Sequence, residues 1–94
     1  MDANEVLKRY AAGNRDFRQE DWQGISLIKA NLSGVDLSGT NLRNSDLSGS
    51  DLSNANLNWA SLKGANLKRT NLRGTKMPDG RLHNDLLASA NYFG

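Results

Sequence analysis

Between residues 30 and 57 the chain reads ANLSG VDLSG TNLRN SDLSG SDLSN ANL, with leucine at Leu32, Leu37, Leu42, Leu47, Leu52 and Leu57. A period of five excludes both regular backbones. On an α-helix each residue advances about 100°, so a five-residue step leaves successive leucines about 140° apart and no face collects them. On a strand the side-chain period is two, so an odd step sends alternate leucines to opposite sides. Five works only where the backbone bends once per repeat and returns every leucine to one interior.

The residues around each leucine locate the bend. With the central residue as position i, the series runs Phe17, Trp22, Leu27, then leucine at every fifth position from 32 to 72, then Met77: thirteen pentads in register from Arg15 to Asp79. Position i−2 is small in most of them (Ala30, Val35, Thr40, Ser45, Ser50, Ala55, Ala60, Ala65, Thr70, Thr75). Residues two apart share a strand face, so i−2 and i are expected to point inward, with i−1 outward between them. A small residue beside a large one lets successive layers interlock. Position i+2 is glycine at 24, 34, 39, 49, 64 and 74 and asparagine at 44 and 54. These residues most readily adopt the positive φ that a type II turn requires, which places the bend at the i+1/i+2 end. Position i−1 is Asp or Asn in ten of the thirteen repeats, and both hydrogen-bond neighbouring backbone at bends. These carboxylates therefore read as turn supports, not as catalysts.

The A(N/D)LSG units and their variants resemble the pentapeptide-repeat proteins, whose pattern is written A(D/N)LXX, and the resemblance covers roughly residues 15 to 79. The ends, NEVLKRYAAGNRDF and MPDGRLHN, are similar to small cyanobacterial members. The fold this resemblance implies is an all-β solenoid: a right-handed quadrilateral β-helix of about three coils, one pentad per side, with residues twenty apart stacked in columns. Its core would then be the ladders Phe17–Leu37–Leu57–Met77, Trp22–Leu42–Leu62, Leu27–Leu47–Leu67 and Leu32–Leu52–Leu72. Each fully buried leucine contributes about 1.5–3 kcal/mol. A lone coil cannot bury its inside, so stability rests on stacking and closed ends.

Open ends expose strand edges and core surface. Asp2-Ala-Asn-Glu5 has the form of a capping box, which predicts a helix from about residue 3 to 12, stopped by Gly13. Val6, Leu7 and Tyr10 would share one side of it and cover Phe17 and Trp22. At the other end, Met77-Pro-Asp-Gly80 reads as a turn with proline set for a type I geometry. Leu82 and Leu87 keep the five-residue register, and a short helix capped by Asn84 is expected over 84–90. Leu86, Leu87, Tyr92 and Phe93 are then available either to cover the last coil or to bury against a second copy, and C-terminal dimer contacts do occur in the family. The organisation is therefore a capping helix over 1–14, the repeat solenoid over 15–79, and a cap or dimer contact over 80–94.

Size and composition agree with regular packing. Ninety-four residues make one domain, without cysteine for disulfides or thiolate metal sites and with a single histidine, His83. No apolar run is long enough to span a bilayer, and the charged N-terminus lacks a secretory h-region, so the expected compartment is the cytoplasm. His83 has no nucleophile partner in the sequence and is expected to lie exposed on the stack. No phosphate-binding loop, zinc-binding helix motif or nucleophile elbow is present, and neither a cofactor nor enzymatic activity is expected.

The candidate surface is charged and aromatic. From Leu52 to Pro78 there are five basic residues (Lys63, Lys68, Arg69, Arg73, Lys76) and no acidic ones, which on a coil becomes a basic collar. Arg43 and Lys63 fall in one column a layer apart, with His83 next. Trp59 falls at the outward i+2 position, either as an interaction hot spot or folded over Gly39. The candidate contact residues are thus Trp59, Arg43, Lys63, Lys68, Arg69 and Arg73. The expected function is a non-enzymatic scaffold that binds another protein. One alternative is weak binding of nucleic acid or another anionic surface through the collar; another is an isolated or engineered solenoid without ligand. The formal net charge of +2 does not drive nucleic-acid binding by itself and departs from the strongly acidic, DNA-imitating members of the family. The expected state is a monomer or an end-to-end homodimer through the C-terminal segment.

Overall fold

The computed structural model describes residues 1–83. Parallel bridges join position i−1 of one pentad to position i−1 twenty residues on, from Asp16↔Asp36 and Asp21↔Asn41 through to Asn56↔Lys76. A spacing of twenty is four pentads per turn, so the solenoid is four-sided. The first side carries pentads 15–19, 35–39, 55–59 and 75–79; the second begins at residue 20, the third at 25 and the fourth at 30. Within the stack, each pentad is tied to the next layer by three backbone bonds. For pentad 35–39 these are Leu37 N–H to Asn56 O (2.7 Å), Gly39 N–H to Asn58 O (2.9 Å) and Asn56 N–H to Val35 O (2.9 Å).

Every residue at position i, from Phe17 to Met77, is buried. Thr40, Ser45, Ser50, Ala55, Ala60, Thr70 and Thr75 at position i−2 are buried beside them, as the alternation of faces requires. All ten Asp and Asn side chains at i−1 accept the backbone N–H of residue i+1, for example Asp36 from Ser38 (3.0 Å) and Asn66 from Lys68 (3.0 Å). The carboxylates are turn supports, as expected.

Positive φ occurs at i+2 in every pentad from Gln19 to Gly74, including the non-glycine residues Gln19, Lys29, Asn44, Asn54, Trp59 and Arg69. Most corners are closed by the N–H of residue i+3 donating to the carbonyl of i, as in Thr40 to Leu37 (3.0 Å). Two corners use a hydroxyl instead. The Thr40 hydroxyl donates to Phe17 O (2.7 Å) and accepts from Glu20 N–H (3.4 Å), bridging the corner one layer away. Ser50 does the same between Leu27 O and Ala30 N–H.

The N-terminal end is closed by helix α1, Ala3–Ala11. Asp2 caps it by accepting Glu5 N–H (2.8 Å). Gly13 at φ +96° ends it, with Gly13 N–H on Tyr10 O and Asn14 N–H on Arg9 O, both 2.9 Å, in a Schellman arrangement. Val6 is fully buried and Tyr10 packs against the core, its hydroxyl donating to Ser33 O (2.8 Å). Leu7, expected on the same side, is 41% exposed because one residue turns it about 100° away from Val6. Arg9 lies 4.6 Å over the Phe17 ring and pairs with Glu20 (3.0 Å), which also accepts from Trp22 Nε1 (3.2 Å).

Beyond Met77 the chain leaves the solenoid path. Strand β1 (Thr75–Lys76) pairs antiparallel with β2 (Leu82–His83). The reversal is a turn over Met77–Gly80, with Gly80 at φ +86° and Met77 N–H donating to Arg81 O (2.8 Å). Two expectations fail here. Leu82 does not continue the interior column but is exposed, and His83 is buried instead of lying on the surface below Lys63. A five-residue register holds only while the chain advances in one direction; the hairpin reverses it. The expected helix over 84–90 and the cover by Leu86, Leu87, Tyr92 and Phe93 lie outside the described residues.

Candidate functional site

Column arithmetic places the six candidate residues on all four sides of the stack. Trp59 is on the first side, Arg43 and Lys63 on the second, Lys68 and Arg69 on the third, and Arg73 on the fourth. The collar therefore runs round the solenoid, and Trp59 and the Lys68–Arg69 pair occupy opposite sides. All six are exposed. The ion pairs among the described residues are Arg9–Glu20, Arg18–Asp16 and Arg81–Asp79, so none of the six is neutralised by a carboxylate there. Arg43 Nε instead donates to Ser61 Oγ (2.9 Å), which draws the guanidinium toward the next layer.

Trp59 is 79% exposed and holds φ +64°. It does not fold over Gly39. The space beside Gly39 is taken by Gln19, whose Cγ would lie 3.1 Å from a β-carbon at that position. In the same way Lys29 lies over Gly49, and Asn44 over Gly64. Side chains at i+2 thus settle on the glycine one layer toward the C-terminus. Trp59 faces Asp79 in that direction, not a glycine, and keeps its ring in solvent.

The third side carries a groove that single-strand reading of the sequence does not reveal. It holds about 340 Å³ and is lined by Ile28, Lys29, Ser48, Gly49, Asn66, Lys68 and Arg69. Positions i+1 and i+2 stack there as Ile28–Ser48–Lys68 and Lys29–Gly49–Arg69. Large side chains in the outer layers flank small ones in the middle layer, which makes a slot across the stack. Lys68 and Arg69 belong to the basic run after Leu52. Ile28 and Lys29 lie forty residues earlier and join them only through two turns of the solenoid; adding twenty twice to each number was the available signal.

On the first side, Arg18 is tied to Asp16 through Nε (2.8 Å) and Nη2 (3.0 Å). The Arg18 hydrogen bonds, from side chain and then backbone, hold the Asp16 carboxyl below the usual carboxylate range, and Asp16 in turn raises Arg18. Both groups are surface groups, and the pair neutralises one of the cations on Trp59's side of the stack.

The family profile described as Pentapeptide repeats matches in 8 copies over residues 16–49 and 40–79. Among solved structures, the chain is similar to HetL, a pentapeptide repeat protein involved in heterocyst differentiation regulation from the cyanobacterium Nostoc sp. strain PCC 7120. The identity is 35% and the TM-score 0.66, over 80% of this chain and 36% of that one. It is also similar to the pentapeptide repeat protein Rfr23 from the cyanobacterium Cyanothece 51142, at 40% identity and a TM-score of 0.63, over 64% of this chain and 41% of that one. The chain thus spans well under half the length of either structure. No curated protein sequence matches it. No catalytic family is indicated by these likenesses. With its pentads in unbroken register, its four-sided stacking and a family match over more than half its length, the chain belongs to the pentapeptide-repeat family and folds as that family's right-handed quadrilateral β-helix.

Proposed function

We propose that this chain is a non-enzymatic scaffold for protein–protein interaction, with Trp59 as a contact residue. The observation that carries the reading is the Trp59 side chain itself. It is 79% exposed on a backbone held at φ +64°, where glycine or asparagine serves at most other corners. A bulky residue there is strained by about 1–2 kcal/mol and gains no burial in return. Such strain at an exposed aromatic is what a binding contact would justify. The involvement of HetL in regulating heterocyst differentiation supports a reading in which the solenoid acts by binding. The proposal takes the stack as about three coils, the compartment as the cytoplasm, and residues 80–94 as an end cap or as the contact of an end-to-end homodimer.

The test is affinity capture with the full chain and its Trp59→Gly variant, with and without nuclease, followed by repetition with the purified captured protein. The expected result is a partner that survives nuclease and is lost with Trp59→Gly, while the variant's thermal midpoint stays level or rises by a few degrees. Capture that is unchanged by Trp59→Gly overturns the assignment of Trp59. Capture that disappears on nuclease treatment or at moderate salt favours the second reading, binding of an anionic polymer by the collar. The uncompensated cations Lys68 and Arg69 are the observation in favour of that reading. The placement of the collar residues on all four sides weighs against a single backbone track.

A further inference from the structure

The four sides of the solenoid are not equivalent in charge. On the third side Lys29, Lys68 and Arg69 face one carboxylate, Asp46, which leaves that side at +2. On each of the other three, cations and carboxylates balance: Arg15, Arg18 and Lys76 against Asp16, Asp36 and Asp79 on the first; Arg43 and Lys63 against Glu20 and Asp21 on the second; Arg73 against Asp51 on the fourth. The repeat region's entire excess of positive charge therefore sits on the side that holds the groove.

The groove has a defined shape. Its floor is Ser48 and Gly49; one wall is Ile28 with Lys29 and the other Lys68 with Arg69. The walls are two layers apart, about 10 Å, which is the width of an extended peptide with its side chains. Ile28 is 51% exposed and supplies an apolar contact on one wall. Asp46, the carboxylate of this side, is half-buried and has its Oδ1 engaged by Ser48 N–H (3.1 Å). Among the described residues none of the three cations is in an ion pair. The corresponding slot on the first side, over Ser38 and Gly39, differs in this respect, because its Arg18 is already paired with Asp16.

The backbone of the floor cannot recruit a strand. Ser48 O accepts from Lys29 N–H (2.9 Å), and Gly49 N–H donates to Lys68 O (2.8 Å). These bonds run along the stack and Ser48 N–H is taken by Asp46, so a ligand lying across it is held chiefly by side chains. Nucleic acid is the weaker fit. The groove offers no aromatic platform for bases, and the exposed tryptophan is on the opposite side.

We infer that this groove is a docking site for an extended acidic segment of a partner protein, in which carboxylates pair with Lys29, Lys68 and Arg69 around an aliphatic side chain seated beside Ile28. The inference rests on the scaffold reading but uses the side opposite Trp59, so the two contacts fail or hold separately.

The experiment is an amide NMR titration of the full chain, with fluorescence anisotropy for affinity. The probe is a labelled peptide Gly-Glu-Glu-Leu-Glu-Glu-Gly, compared with its lysine counterpart and with an oligothymidylate of equal charge. The expected result is saturable shifts at Ser48, Gly49, Asn66, Lys68 and Arg69 with the glutamate peptide only. Lys68→Glu with Arg69→Glu should weaken it at least tenfold, and Ile28→Ser a few-fold. Lys63→Glu with Arg73→Glu, the same change of charge on the two neighbouring sides, should alter it less than threefold. Shifts spread over all four sides, equal loss with the control pair, or equal binding of the oligothymidylate in the groove would each overturn the inference. Capture of a partner that depends on Trp59 yet coexists with no groove binding refutes the groove and leaves the scaffold reading intact. Groove binding without Trp59-dependent capture supports the groove and refutes the role of Trp59.

Discussion

At position i+2 a single backbone angle decides what each residue can do. Gly24 and Gly64 have nearly the same φ, +73° and +74°, but different surroundings: a β-carbon on Gly24 meets nothing within 4 Å, whereas one on Gly64 would overlap Asn44 Oδ1. Gly24→Ala is therefore expected to cost about 1 kcal/mol, the left-handed penalty alone. Gly64→Ala is expected to cost about 1–2 kcal/mol, and the excess should vanish in an Asn44→Gly background, which a double-mutant cycle by urea denaturation reads directly. Asp16 allows a second check. Its carboxyl is lowered first by the Arg18 side-chain hydrogen bond, so its contribution to stability is complete above the ordinary carboxylate range and is lost as pH falls through the lowered value. NMR titration should find the Asp16 midpoint below that of an ordinary aspartate and returned toward it in Arg18→Ala. Glycine and asparagine at i+2 announced the positive φ in the sequence. Gln19, Lys29, Trp59 and Arg69 did not, because there the bonds to an adjoining layer impose the bend regardless of local preference.

The pentad is legible as an element because one residue type serves one purpose at each of its positions. Aliphatic i, small i−2 and amide or carboxylate i−1 were all readable, and each does in the structure what its chemistry suggests. What was hidden is contact between layers. The Thr40 hydroxyl stands in for the missing bond of the corner at Phe17–Glu20, whereas at Leu47–Ser50 the corner closes by its own backbone (3.1 Å) and Thr70 adds only a donation to Leu47 O (2.8 Å). Thr40→Val thus strands a buried carbonyl and an N–H, and is expected to cost about 2–3 kcal/mol; Thr70→Val, which removes one redundant bond, about 1 kcal/mol. Chemical denaturation of the two variants side by side tests the difference. The ends show the same limit. Helix α1 was foreseeable from Asp2, Glu5 and Gly13, since caps are local signals. The β1–β2 hairpin was not, since leucine at 82 satisfied the repeat arithmetic while the turn at Met77–Gly80 reversed the chain.

For the whole molecule, the solenoid separates what folds it from what distinguishes its sides. The interior columns are nearly uniform, so any pentad can sit on any side; the outward positions are not, and only their alignment across turns makes the groove. Removal of residues 40–44 uses this separation. Every later pentad moves back by one side, yet each central residue still stacks on another apolar one; the backbone bonds of one coil are re-paired, and the hydroxyl bridge at the Leu27–Ala30 corner is lost because Ala55 takes the place of Ser50 there. The shortened chain is expected to keep a β-type circular dichroism spectrum and a single cooperative thermal transition. Deletion of Gly49 alone removes fewer atoms but leaves one corner without its positive-φ residue and one side a residue short. It is expected to lower the midpoint further than the five-residue deletion, at about 4–8 °C for each kcal/mol lost at this size. The same five-residue deletion carries Lys68 and Arg69 from above Ile28 and Lys29 to above Gln23 and Gly24, since the walls of the groove belong to different turns. The folded variant should therefore have lost the binding of the glutamate peptide that the parent chain shows. A reversed order of stability between the two deletions would mean that the corners, not the columns, set the register, while a peptide affinity untouched by the shift would mean that alignment between turns does not build the binding surface.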